Sequence, residues 1–173
     1  TPSGTYTVVY EICEVGANPI NCDTATAIVL VENVIDAVDD DYTATPLTSN
    51  DTTPSVVLND TLDGAPVVIG TNPGQVTLTG VTVPTELTLN PDGTITVEPN
   101  TPSGTYTVVY EICEVGANPI NCDTASATVV VLNPIDAVND TNPVAANGYE
   151  GGIAIPSVLT TDTLDSVPIS LSQ

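Results

Sequence analysis

TPSGTYTVVYEICEVGANPINCDTA occupies residues 1–25 and returns, letter for letter, at residues 101–125. Inside the second copy Tyr106, Val108, Tyr110 and Ile112 recur at every other position, which places them on one face of an extended strand. The likeness runs past the identical stretch: residues 1–40 and 101–140 agree at 34 of 40 positions. The period is therefore 100 residues (101 minus 1), the size of one β-sandwich domain and well above that of a solenoid repeat. A second echo carries Pro54-Ser55-Val56 and Asp60-Thr61-Leu62-Asp63 to Pro156-Ser157-Val158 and Asp162-Thr163-Leu164-Asp165, an offset of 102. The third unit thus holds two extra residues. Cut in phase, the chain comprises the C-terminal part of one repeat (1–34), a complete repeat (35–134) and the N-terminal part of the next (135–173). The junctions Val34-Ile35-Asp36-Ala37-Val38 and Pro134-Ile135-Asp136-Ala137-Val138 are short, so neighbouring units are expected to be stiffly coupled.

Within the complete repeat the pattern reads as strands throughout. Leu87-Thr88-Leu89 and Thr94-Ile95-Thr96-Val97 flank Asn90-Pro91-Asp92-Gly93, a hairpin closed by a four-residue turn. Further strands are expected at 55–58, 65–69, 76–80 and 125–132. No helical period occurs. Strand-like runs at short spacing, separated by Pro, Gly, Asn and Asp, predict an all-β chain of tandem immunoglobulin-like β-sandwich repeats.

Composition excludes several functions. The chain holds 22 Asp and Glu but no Lys, Arg or His, a formal charge of −22, and it lacks Met, Phe and Trp. Phosphate contacts need Lys and Arg, so nucleic acid and anionic lipid are excluded as partners. The carboxylates must instead be solvated, bonded to neutral donors or bound to cations. Disorder is a poor reading, because 41% of the residues are apolar and the chain is rich in Val, Ile, Leu and Thr. No run approaches the length of a membrane-spanning helix, so no membrane insertion is expected. The chain opens in mid-pattern with no signal peptide, as an internal piece of something longer would.

The cysteines form two local pairs, Cys13/Cys22 and Cys113/Cys122, joined by a turn-rich loop. Closing a hairpin across this loop brings the sulfurs within disulfide reach, at a stabilisation of roughly 2.5 kcal/mol each in the chain-entropy model. Zinc favours tighter spacing and four ligands, and redox motifs use C-x-x-C. Disulfides in turn imply an oxidising, extracytoplasmic location. Without His or Lys, general acid–base and nucleophilic catalysis lose their commonest groups, and the same carboxylates recur in each unit without an aromatic sugar platform. The chain reads as no enzyme. The missing Lys also rules out Lys–Asn isopeptide cross-links.

Asp36, Asp39, Asp40 and Asp41 cluster at the first junction, and Asp136, Asn139 and Asp140 stand in matching places at the second. Asp60 and Asp63 form another candidate set. Calcium takes six to eight oxygen ligands, and closely spaced Asp supplies them. Solvated charge that keeps strand edges unpaired is the alternative reading.

The run Thr101-Pro102-Ser103-Gly104-Thr105-Tyr106-Thr107-Val108, with Glu111-Ile112-Cys113-Glu114 and Asn121-Cys122-Asp123-Thr124-Ala125, is similar to repeats of giant surface adhesins of gliding Bacteroidota. Asp36-Ala37-Val38-Asp39-Asp40-Asp41-Tyr42 resembles the opening of bacterial cadherin-like and immunoglobulin-like adhesin repeats, although the acidic run expected later is reduced to Asn59-Asp60-Thr61-Leu62-Asp63. The resemblance implies type IX export, display on the bacterial cell surface, contact with outer-membrane motility and secretion machinery, and a role in adhesion and gliding. It also implies O-glycosylation at Asp-Thr and Asp-Ser sites, here Thr24, Thr52, Thr61, Thr124, Thr163 and Ser166. Three functions follow: a stalk and adhesive fibre that meets extracellular surfaces; an array of glycan- or protein-binding modules, for which Tyr42 and Tyr149 look free of core duty; and a surface-layer or biofilm-matrix filament.

Overall fold

The computed structural model describes residues 1–141 and 147–170, and within them every regular element is a strand. β1 (Gly4–Cys13) and β2 (Cys22–Val31) form a hairpin, followed by the short strands β3 (Ile35–Asp36), β4 (Asp40–Asp41), β5 (Thr61–Leu62) and β6 (Ala65–Pro66). Next come β7 (Val76–Thr82), β8 (Leu87–Leu89), β9 (Ile95–Val97), β10 (Gly104–Glu114) and β11 (Cys122–Val131). β12 (Ile135–Asp136), β13 (Thr163–Leu164) and β14 (Val167–Pro168) complete the order.

Two layers enclose the core. One is a four-stranded sheet in the order β4-β11-β10-β7, in which β4 runs parallel to β11 and the other pairs are antiparallel. The other is the β8–β9 hairpin with residues 50–56 laid along its edge, where Thr53 N donates to Ile95 O at 3.0 Å and Val56 N to Gly93 O at 2.9 Å. The expected alternation on β10 is realised: Val108, Tyr110 and Ile112 are wholly buried, and Tyr106 packs against them. Ala127, Val129 and Val131 of β11 meet Ile95 and Val97 of β9, and all five are closed to solvent. The turn before β9 is held by Asp92 Oδ1, which accepts from Thr94 N at 3.1 Å and Thr94 Oγ1 at 2.7 Å. Gly93 sits at φ 86° against Ser55, a place no side chain fits.

Residues 55–58 correct the sequence reading, because they form a turn and no strand. Val56 and Val57 are both buried, which a strand with one face to water does not allow, and Pro54 gives no N–H to a ladder. The strand expected over 65–69 shrinks to β6, with Ile69 making only an isolated bridge to Val76. Tyr42 is likewise half-buried and packed on the core, whereas Tyr149 is fully exposed.

The duplicated sequence gives duplicated structure in unequal surroundings. β1–β2 keep the register of β10–β11, from Gly4↔Val31 to Cys13↔Cys22. Yet Val8, Tyr10 and Ile12 are 52%, 49% and 67% exposed. At the other end β12–β13–β14 repeats β3–β5–β6, with Ile135↔Leu164 and Asp136↔Thr163 in the places of Ile35↔Leu62 and Asp36↔Thr61. Two isoleucines in one local sequence therefore have different weights. Ile112→Ala should destabilise the chain by about 2–5 kcal/mol through the cavity it leaves, and Ile12→Ala by less than about 0.5 kcal/mol. Urea denaturation of the two variants side by side measures this.

Candidate functional site: acidic loops and a hairpin clamp

Both cysteine pairs are joined, Cys13–Cys22 and Cys113–Cys122, each across directly opposed strand positions. Glu11 and Glu111 lie close to these sulfurs, and the two sets are the groups of three close ligand atoms among the described residues. The disulfides leave no thiolate there to hold a metal.

The acidic residues of the first junction separate, and three of them find neutral donors. Asp39 Oδ1 accepts from Ser126 N at 2.8 Å and Ser126 Oγ at 2.9 Å, and the backbone bond, then the hydroxyl bond, lower its pKa. Asp41 Oδ1 accepts from Thr43 N at 2.9 Å, and its pKa is lowered by Thr43 as well. Asp36 stays exposed on β3. Asp40 turns inward to the phenols of Tyr42 and Tyr110, each at 3.3 Å. No three of the Asp36, Asp39, Asp40 and Asp41 carboxylates lie within 4.8 Å of one another. At the second junction Asp136 and Asn139 are exposed, and Asp140 Oδ1 accepts from Thr161 Oγ1 at 3.5 Å.

Asp60 has a structural task that its sequence position did not reveal. It is wholly buried, and its Oδ1 accepts from Val38 N at 2.8 Å, tying the loop after β3 to the segment before β5. Asp162 repeats this bond to Val138 N at 2.8 Å. Asp63 remains exposed, and its Oδ1 accepts from Val34 N at 3.0 Å. The Tyr110 hydroxyl lies 3.0 Å from Val56 O, 3.2 Å from both Val38 O and Asp60 Oδ1, and 3.3 Å from Asp60 Oδ2 and Asp40 Oδ2. A phenol has one proton to donate, and five acceptor oxygens surround this one. Burial accordingly pushes Asp40 up to about 6, against the phenol hydrogen bonds and with help from the Asp60 and Asp39 charges. Burial raises Asp60 too, and both tyrosines are pushed up for the same reason.

A second polar cluster joins the first hairpin to the tip of the β10–β11 hairpin. Glu114, 6% exposed, accepts from Ser3 N at 3.0 Å through Oε1 and from Ser3 Oγ at 2.7 Å through Oε2. Asn33 Nδ2 also donates to Glu114 Oε1, and Asn121 Nδ2 to Oε2 at 2.8 Å. Asn121 Nδ2 further reaches Asn33 O at 3.0 Å, and Asn118 N donates to Ser3 O at 2.8 Å. Burial pushes the Glu114 carboxyl up, but the bonds from Asn121, Ser3 and Asn33 outweigh it and hold the pKa below its ordinary value. Gly116, at φ 84°, lies against Pro2 and leaves room for this approach. Nothing in a single copy of the sequence singles out Glu114, Asn121, Ser3 or Asn33. Their signal is combinatorial, since a partner for each stands one period away.

Of the Asp-Thr and Asp-Ser positions, Thr24, Thr52, Thr124 and Ser166 are exposed, whereas Thr61 and Thr163 are half-buried in β5 and β13.

No family model and no curated protein matches the chain. Among solved structures it is similar to the extracellular cadherin domains 3–6 of protocadherin gamma B2, at 12% identity over 79% of this chain and a TM-score of 0.35. The match spans 36% of that chain, about a third of its length.

The Asp40 site predicts a pH dependence. In the fold Asp40 holds its proton to about 6, whereas in the unfolded chain it releases it near 3.8. Between these values the folded state binds more protons, so this site's contribution to stability falls as pH rises through the window. Asp60, raised by the same burial, acts with the same sign. Asp40→Asn should flatten that slope, and it should gain most over wild type above about pH 6. Urea midpoints of both proteins from pH 4 to 8 measure it.

Proposed function

We propose that this chain is a segment of a non-catalytic extracellular fibre on a bacterial surface. In this reading tandem immunoglobulin-like units of about 100 residues form a stalk that serves adhesion and gliding. The observation that carries the reading is the doubled hairpin. One sequence has its apolar face buried at Val108, Tyr110 and Ile112 and bare at Val8, Tyr10 and Ile12. A face patterned for burial but left exposed supports reading residues 1–34 as the C-terminal part of one unit, beside a complete unit at 35–134 and the opening of the next at 135–173. The all-β architecture and one disulfide per unit suit an extracellular fibre exposed to oxidising surroundings. A uniform negative charge, without Lys or Arg, suits a filament that must not collapse on its neighbours. The resemblance to gliding adhesins supplies the motility context, with outer-membrane secretion and motility machinery as partners. It also supplies O-glycans, for which Thr24, Thr52, Thr124 and Ser166 offer accessible hydroxyls.

Deleting the gene in a gliding cell should abolish surface translocation while leaving biofilm mass intact. Retained gliding with lost biofilm would move the reading to a matrix filament. At the molecular level, mass spectrometry of protein collected from the cell surface should find both cysteine pairs oxidised. Cys113→Ser with Cys122→Ser should cost about 2.5 kcal/mol of unfolding free energy.

A further inference from the structure

The clamp described above is present once in full and twice in halves. The engaged copy pairs a tip, Glu114 and Asn121, with a socket, Ser3 and Asn33, and leaves Ser3 9% and Glu114 6% exposed. The sequence repeat supplies a second tip, Glu14 and Asn21, at one end of the chain and a second socket, Ser103 and Asn133, at the other. Both are already shaped. In the free tip Asn21 Nδ2 donates to Glu14 Oε2 at 2.9 Å, as Asn121 does to Glu114. In the free socket Asn133 N donates to Ser103 Oγ at 2.8 Å and Asn133 Nδ2 to Thr101 O at 2.7 Å. Asn33 N reaches Ser3 Oγ at 2.9 Å, and Asn33 Nδ2 reaches Thr1 O at 3.1 Å. What differs is the neighbour: Glu14, Asn21 and Ser103 are exposed.

The surroundings of the free socket leave room for a neighbour. An open cleft of about 730 Å³ lies beside it, lined in part by Pro102, Asn133, Leu164 and Val167. At the engaged junction Pro2, the counterpart of Pro102, is touched by Gly116 of the incoming tip.

We infer that the Ser103–Asn133 socket is a docking site for the Glu14–Asn21 tip of a second copy of this chain, joined head to tail. Tip and socket are different surfaces, so the contact is heterologous. The incoming carboxylate is received by neutral donors alone, the Ser103 hydroxyl and backbone N–H and the Asn133 amide. In the tandem array the same socket receives the tip of the following repeat, where tethering raises its effective concentration. This inference rests on the tandem-repeat reading and adds to it the residues that read the neighbour.

The test is a self-titration. The ¹⁵N-labelled full chain is mixed with unlabelled chain up to about 1 mM, a range that detects weak association, in about 0.5 M NaCl to screen the repulsion between two acidic copies. Amide shifts should grow together at Glu14, Val15, Gly16, Ala17, Asn18, Ile20 and Asn21 and at Thr101, Ser103 and Asn133, while the engaged Ser3, Asn33 and Glu114 stay still. Glu14→Ala and Ser103→Ala, both at exposed positions, should each reduce the shifts at both ends by tenfold or more, with the unbound ¹⁵N spectrum of each variant checking that the fold is kept. The inference is overturned if no shift depends on concentration, if shifts confine themselves to the bare face of Val8, Tyr10 and Ile12, or if Glu14→Ala leaves them unchanged. A negative titration beside lost gliding in the deletion strain removes this docking and leaves the stalk reading standing.

Discussion

Every carboxylate in this chain must be satisfied without a basic side chain, and that constraint shapes each polar contact that holds the fold. With 22 acidic groups and no Lys, Arg or His, the donors are backbone N–H groups, hydroxyls and amides. A charged acceptor strengthens such bonds, so a neutral donor set holds a carboxylate when several converge on it. Glu114 has four donor groups and a lowered pKa. Asp40 has the phenols of Tyr42 and Tyr110 alone, beside the Asp60 and Asp39 charges, and its pKa rises. At Glu114 the donors outweigh burial; at Asp40 burial outweighs the donors.

The same constraint explains where the interior tolerates polarity. The Tyr110 ring fills the core beside Val108 and Ile112, while its hydroxyl reaches the loops after β3 and before β5. Asp60 completes the connection through Val38 N. One aromatic side chain therefore ties the main sheet to both acidic loops, and it does so with a single proton among five oxygens. Such a network is costly to satisfy in part, because an unpaired buried charge loses its solvation without return. Proton uptake by Asp40 and Asp60 relieves it, which couples this part of the fold to pH.

Much of the architecture was legible because it follows from local pattern. Alternation at Tyr106 to Ile112, the Asn90–Gly93 turn and the cysteine spacing each reflect geometry set within a dozen residues, and each stands in the structure. Residues 55–58 were misread because apolar content imitates a strand where a buried turn is needed: Val56 and Val57 both face inward from an irregular segment. The partners of the acidic run at 36–41 were not legible, because a backbone that alternates and bends sends Asp39, Asp40 and Asp41 to Ser126, Tyr110 and Thr43. The clamp was illegible in one copy, since Ser3 and Glu114 are 111 residues apart and acquire meaning only across a period.

A junction made of hydrogen bonds rather than apolar contact has a physical rationale in a repeated chain. An apolar end face would be sticky in every unit and would join copies in many orientations, a hazard that grows with the number of repeats. A carboxylate that needs particular donors on its neighbour is selective, because any other arrangement leaves it, or the amides meant for it, unpaired. Such a surface is compatible with water when alone: Glu14, Asn21 and Ser103 are exposed. In a tandem chain covalent continuity supplies the proximity, and the clamp needs to supply only the direction.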